Sequence, residues 1–211
     1  NISVRDKIFS LDYQLIFLVL LLGIISFFAM YSTERGNFDY YTQSHVFRFV
    51  IFFTMFILMP FINIKFWYKS AYFFYFIILI LLLGVDFFGI TAQGSKRWIN
   101  LFIFNLQPSE LMKVALILFL ARYYNKIPYN HVNRVKFMII PTFVLFIPFA
   151  LVINQPDLGT AVLIVISGLT VVWLSGFKMK YFAFSSLTFI CLTPIIIAFL
   201  QPYQKMRILT F

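Results

Sequence analysis

Apolar residues fall into seven runs along the chain, at 15–31, 46–62, 71–88, 111–124, 137–153, 160–174 and 181–200, separated by polar stretches. A helix needs roughly 20 apolar residues, within a range of about 17–25, to cross the hydrocarbon of a bilayer. Four of the runs meet that length, and 137–153 meets it with Pro141 and Pro148 inside. The runs at 111–124 and 160–174 are short. Each becomes long enough only if its helix begins at the proline just upstream, Pro108 or Pro156, and takes in the charged residues that follow. The pattern predicts an all-α polytopic membrane protein with seven transmembrane helices in a single domain, 1–211.

Gln-Pro pairs stand at the mouths of alternate runs: Gln107-Pro108, Gln155-Pro156 and Gln201-Pro202, spaced 48 and 46 residues apart. Each interval is the length of one hydrophobic hairpin, so all three pairs are expected on the same face of the membrane. With a cytoplasmic N-terminus, the outer segments are 32–45, 89–107 and the turn at 154–156. The inner segments are then 63–70, 122–136 and 175–180. No small-residue cleavage site follows the first run, which therefore reads as a retained anchor rather than a signal peptide.

Composition agrees with this pattern. The chain is 62% hydrophobic and 11% charged, whereas soluble domains carry about 25% charged residues. A water-soluble domain is excluded. The formal net charge of +10 raises nucleic acid as a partner, but its placement argues otherwise. Ten basic residues fall on inner segments: Arg5, Lys7, Lys65, Lys69, Arg122, Lys126, Arg134, Lys136, Lys178 and Lys180. Six fall on outer ones (Arg35, Arg48, Lys96, Arg97, Lys205, Arg207), partly offset by Glu34, Asp39, Asp86 and Asp157. Cytoplasmic loops carry excess Lys and Arg, so the charge reports orientation and nucleic acid is set aside.

The lone Cys191 lies inside the seventh run, and His45 and His131 fall on opposite faces, so no disulfide or His/Cys metal site is expected. No phosphate-binding glycine motif or nucleophile elbow occurs, and no cofactor is evident. The 30 phenylalanines read as lipid-facing bulk.

Chemistry is then left to polar residues at the membrane surface. In loop 89–107, Gly94-Ser95 signals a turn, and Lys96-Arg97-Trp98 sets two cations beside an amphipathic ring. Two readings stay open here: a loop tethered at the headgroups by Trp98, or an anion-binding loop. Pro108 suits the first position of a helix. Glu110 then falls at the third position, able to bond back to the helix start and favoured by the helix dipole. Lys113 lies about 7 Å further in, where a cation opposes the dipole and loses hydration, at roughly 2.5–3.5 kcal/mol for mid-bilayer lysine and less near an interface. Glu110 and Lys113 share a helix face at i,i+3, so an ion pair is expected. Asp157 falls in the first turn of the next short helix, either as a cap alone or as a partner for Lys113 or a substrate group, with Gly159 admitting a close neighbour. Arg48, near the outer start of the second run, either snorkels to the headgroups or faces the same cavity. These residues describe an outward-facing charged cavity and leave open a transporter, an enzyme acting on a lipid-linked substrate, or a scaffold.

Four ordered motifs resemble those of the SEDS family of cell-wall polymerases: Gly94-Ser-Lys-Arg-Trp-Ile99, Gln107-Pro-Ser-Glu-Leu-Met-Lys113, Asn154-Gln-Pro-Asp-Leu-Gly-Thr-Ala161 and Pro202-Tyr-Gln-Lys-Met-Arg-Ile-Leu-Thr-Phe211. The likeness covers nearly the whole chain and is greater to the elongation branch than to the division branch. It implies a peptidoglycan glycosyltransferase of the bacterial inner membrane, ten helices in all. Such proteins polymerise lipid II, an undecaprenyl-pyrophosphate-linked precursor, at the outer face. They work with a class B penicillin-binding transpeptidase and the rod-shape complex, among membrane lipids. The resemblance implies that Glu110 and Lys113 pair at the substrate cavity with Asp157 nearby, and Arg48, Lys96, Arg97, Gln107, Ser109 and Gln155 are further candidates for lining it. It places the catalytic aspartate after Phe211, so the chain reads as an N-terminal piece holding seven of ten helices, with no catalytic residue of its own and no expected activity alone. The mechanism implied is inverting glycosyl transfer. A base deprotonates the acceptor hydroxyl, and Lys113, Arg97 and Arg48 offset charge on the leaving pyrophosphate, held in place by Glu110 and Asp157. A flippase would instead predict charged or broken helices near mid-membrane and on both faces.

Overall fold

The computed structural model describes residues 4–92, 95–100, 105–155, 157–178 and 180–182. The backbone groups into two compact units, Asn1–Phe66 and Trp67–Phe211.

In the first unit a short helix α1 (Val4–Phe9) precedes a hairpin of two long helices, α2 (Tyr13–Thr33) and α3 (Tyr40–Leu58), the latter running into a 3₁₀ turn at Met59–Phe61. Asp12 caps α2 by accepting from the Leu15 N–H at 3.0 Å, satisfying one of the donors that a helix start leaves free. The hairpin turn uses left-handed backbone at Arg35 and Gly36, and the Gly36 N–H returns to the Tyr31 carbonyl at 3.0 Å. Glu34 then caps α3, its two carboxylate oxygens accepting from Tyr41 N at 2.9 Å and Thr42 N at 3.0 Å. Ser26 and His45 join α2 to α3 through a 2.9 Å hydrogen bond. Lys7 reaches the Phe61 carbonyl at 2.7 Å, which ties the N-terminal helix to the far end of α3.

The second unit takes in α4 (Ile64–Phe88) from Trp67 onward, three short strands, α5 (Pro108–Asn125), α6 (Ile139–Asn154) and α7 (Leu158–Leu174). α5 is its centre. Met112, Ala115, Leu116, Phe119, Leu120 and Tyr124 are buried at spacings of three and four, the stripe of a helix facing a core. Residues of α4, α6 and α7 complete that core, among them Ile78, Leu82, Val144, Val152 and Ile164. Gly168 lets α7 approach closely: a Cβ there would stand 2.6 Å from Leu145 and 3.1 Å from Leu116.

Pro148, inside α6, leaves a carbonyl without its helical donor, because proline has no N–H for the residue four before it. Pro148 orphans Val144, and the Tyr75 hydroxyl of α4 donates to that carbonyl at 2.7 Å. Pro141 falls in the first turn of α6, where no helical bond is lost, and the Tyr123 hydroxyl of α5 donates to the Phe137 carbonyl just before the helix at 3.1 Å. The neighbouring α4 thus repairs α6, as a membrane interior requires.

Six of the seven apolar runs form helices, and the seventh, 181–200, lies outside the described residues beyond Phe182. Four helical stretches are long and apolar enough to span a bilayer: Tyr13–Thr33, Tyr40–Phe61, Ile64–Phe88 and Val135–Asn154. Leu158–Leu174 is shorter. At 18 residues, α5 reaches about 27 Å and carries Glu110, Lys113 and Arg122. The protein is a multi-pass membrane protein. The segment expected as a plain loop, 89–107, is instead a small antiparallel sheet in the order β1 (Ile90–Ala92), β2 (Ser95–Asn100), β3 (Asn105–Leu106). Ile90 pairs with Trp98 and Ile99 with Leu106, with a register irregularity after Ile90.

Candidate functional site

The polar cluster grows from the starts of two helices. α5 begins at Pro108, with Gln107 as the residue before its first turn and no capping bond from the Gln107 side chain. That side chain turns across the helix ends instead. Its Nε2 donates to Ser109 Oγ and to Asp157 Oδ2, both at 3.2 Å. Asp157 is the cap of α7: Oδ1 accepts from the Thr160 N–H at 3.2 Å and Oδ2 from the Thr160 hydroxyl at 2.9 Å. Arg97, carried over the helix ends by β2, brings Nη1 to 3.5 Å from the same Oδ2.

Asp157 is 8% exposed and Ser109 3%. Enclosing a carboxylate costs it hydration, which pairing and hydrogen bonds must offset. It gains both here, and the positive end of the α7 dipole besides. A second arm fixes the rim. Gln155, 4% exposed, donates from Nε2 to the Leu82 carbonyl at 2.9 Å and to Asp86 Oδ1 at 3.5 Å. Lys96 Nζ donates to the Asp86 carbonyl at 3.0 Å. Strand β2 is therefore pinned at Lys96 to α4 and at Arg97 to α7.

Glu110 and Lys113 form the expected ion pair, 2.8 Å from Nζ to Oε2. It lies on the open face of α5, the Glu110 side chain 53% and the Lys113 side chain 23% exposed. Lys113 keeps further N–H donors for another anion.

Several expectations are corrected. Asp157 precedes α7 as its cap rather than sitting in the first turn, and the cation it meets is Arg97, not Lys113. The Glu110 carboxylate faces Lys113 rather than the start of its own helix. Gly159 is exposed with room around it, and the close helix approach occurs at Gly168. Lys96 and Arg97 each have a partner in the protein, the Asp86 carbonyl and Asp157 respectively. Arg48 stands on α3, in the first unit. Pro156 and the Gln201-Pro202 ending lie outside the described residues. The sequence reading missed Thr160, though Asp157 followed three residues later by a hydroxyl is a capping pattern. It also took Asp86 only as an offset to positive charge. Among the described residues no group of three His, Cys, Asp or Glu side chains is placed to hold a metal ion.

The family model FTSW_RODA_SPOVE, described as a cell cycle protein, matches residues 9–211. The chain belongs to this family. Its FTSW_RODA_SPOVE relatives include the peptidoglycan glycosyltransferase MrdB of Escherichia coli K12, 37% identical over 138 residues, which cover 64% of this chain and 36% of that protein. MrdB of Helicobacter pylori strain 26695 is 33% identical over 187 residues, 87% of this chain and 46% of the relative. A probable peptidoglycan glycosyltransferase FtsW of Buchnera aphidicola from Acyrthosiphon pisum is 30% identical over 217 residues, 99% of this chain and 54% of the relative. The chain thus spans about a third to a half of the relatives it matches.

Among solved structures, a chain of a peptidoglycan synthase complex that coordinates polymerization and crosslinking superposes with a TM-score of 0.81 at 25% identity, covering 95% of this chain and 58% of that one. The rod shape determining protein RodA of Thermus thermophilus superposes with a TM-score of 0.72 at 24% identity, covering 87% and 60%, and shares the fold. The resemblance to SEDS proteins drawn from the four motifs is borne out at the level of the family and its polytopic fold.

Proposed function

We propose that the whole protein is a peptidoglycan glycosyltransferase of the elongation, RodA-like branch, polymerising lipid II in the bacterial inner membrane. The observation that carries this reading is the enclosed Asp157 carboxylate holding Arg97 above the start of α7, with Lys113 paired to Glu110 on an open face of α5. In the reaction, the acceptor hydroxyl oxygen bonds to the anomeric carbon of the donor as that carbon's bond to pyrophosphate breaks. The hydroxyl proton passes to a general base. Charge develops on the departing pyrophosphate, and fixed cations stabilise it. Arg97 and Lys113 are suited to that task, with Lys96 as a further contributor. Gln107, Ser109, Gln155 and Asp157 position them, and Glu110 holds Lys113.

The N-terminus is then cytoplasmic and the Arg97–Asp157 end faces outward, where the precursor is used. A class B penicillin-binding transpeptidase and the rod-shape complex are the partners this reading implies. A lipid flippase fits less well, because the polar groups of the described helices gather at helix ends rather than at broken helices near mid-membrane. Vesicles containing the whole protein and labelled lipid II separate the two. Glycan polymer with release of undecaprenyl pyrophosphate is expected. Translocated lipid II without polymer would overturn the assignment.

A further inference from the structure

The opposite end of the second unit is built on different chemistry. There the first turns of α4 meet the last turn of α5. Arg122 Nη1 donates to the Lys69 carbonyl at 2.6 Å, and Asn125 Nδ2 reaches the Tyr68 hydroxyl at 3.4 Å. The guanidinium carbon lies 4.2 Å from the Tyr72 ring centroid and 5.2 Å from that of Tyr68. Lys126 Nζ stands 5.6 Å from the same Tyr72 centroid. One ring thus attracts two cations through its quadrupole, and the cations repel one another. Arg122 Nε is shielded from water and has no hydrogen-bond partner among the described residues.

Among the described residues of the second unit, no carboxylate balances this charge. The three acids of the unit, Asp86, Glu110 and Asp157, all stand at the other end, whereas Lys69, Arg122, Lys126, Arg134, Lys136, Lys178 and Lys180 lie in segments at this one. Trp67, Tyr68, Tyr72, Tyr123 and Tyr129 fall in the same segments, and amphipathic rings gather where hydrocarbon gives way to lipid headgroups.

We propose that Arg122, with Lys69 and Lys126 beside it, forms a binding site for the phosphate of an anionic phospholipid headgroup. Basic pockets between helices at the membrane surface take such headgroups, and the guanidinium N–H groups not spent on the Lys69 carbonyl can donate to phosphate oxygens. Stacking on Tyr72 and the bond to Lys69 already fix the guanidinium, so little side-chain freedom is lost on binding. Its depth, level with the aromatic residues, selects a lipid over a soluble anion.

The test uses the whole protein purified into mixed micelles of equimolar phosphatidylglycerol and phosphatidylcholine, with retained lipid measured by mass spectrometry. The wild-type protein is expected to enrich phosphatidylglycerol. Lys69→Gln and Lys126→Gln, both exposed positions that leave folding intact, should each lower that enrichment about five-fold at low salt. Arg122→Gln should lose it, and Arg122→Lys should restore part of it. Glycerol phosphate and polyglutamate are expected not to displace the lipid. Equal retention of both lipids, enrichment unchanged in the lysine variants, or displacement by either soluble competitor would overturn the proposal.

Discussion

Arg97 Nη1 and Asp157 Oδ2 meet at 3.5 Å where strand β2 crosses the start of α7. The contact joins a surface strand to the cap of a membrane helix, and Gln107 and Thr160 share the same carboxylate. A side chain that caps a helix, pairs with a guanidinium and accepts from a third element cannot be replaced by an isostere without loosening all three. In the proposed mechanism Asp157 is a positioning group, and Arg97 is the cation it holds for the substrate.

Lys113→Met in the whole protein should lower lipid II polymerisation about ten-fold or more while thermal stability in detergent changes little. Its ion pair with Glu110 lies on an exposed helix face, where such pairs contribute about 0–1 kcal/mol. Unchanged turnover in a folded variant would remove Lys113 from the mechanism.

Tyr75→Phe should destabilise the second unit by about 1–3 kcal/mol, because it strands the Val144 carbonyl that Pro148 already leaves without a helical donor. Pro148→Ala restores an N–H to that carbonyl. In the Pro148→Ala background the same tyrosine change should therefore cost less. Thermal unfolding of the four proteins measures the coupling, and simple additivity would contradict the repair.

Gln155→Ala should destabilise by about 1–3 kcal/mol, since a buried amide bonded to the Leu82 carbonyl is lost. It should also loosen the rim, visible as faster hydrogen exchange at 95–100 than in the wild type. Unaltered exchange there would mean that Gln155 does not support the strand.

Glu34 offers a pH readout away from the site. Partial desolvation works to raise its carboxyl, but hydrogen bonds from Thr42 and from the Tyr41 and Thr42 backbone outweigh it, leaving the group below its ordinary value of 4.5. A group lowered on folding stabilises fully above its unfolded value and loses that contribution as pH falls through its lowered folded value. Protection of the Tyr41 and Thr42 amides should therefore hold at pH 6 and be lost only as the pH falls below the ordinary value of 4.5. Glu34→Gln should abolish the difference.

Much of this architecture is legible in the chain because lipid imposes length and apolarity on each helix. Pro108 marks the start of α5 correctly, and Glu110 with Lys113 is readable from spacing alone, since i,i+3 residues share a face. The Arg97–Asp157 contact had no such signal, because it depends on a tertiary placement of β2 that no local period encodes. The sheet itself was hidden for the same reason: its strands are of two to six residues and are recognisable only once paired. Tyr75 reads as one more aromatic in an apolar run, and its role appears only when Pro148 stands opposite it.

The most direct measurement is lipid II polymerisation by the whole protein carrying Asp157→Asn, Arg97→Gln and both changes together, each checked for folding. Each single change should slow turnover about ten-fold or more, and the double variant should be no slower than the worse single one, because both remove the same unit. Wild-type turnover by a folded Asp157→Asn protein would contradict the account.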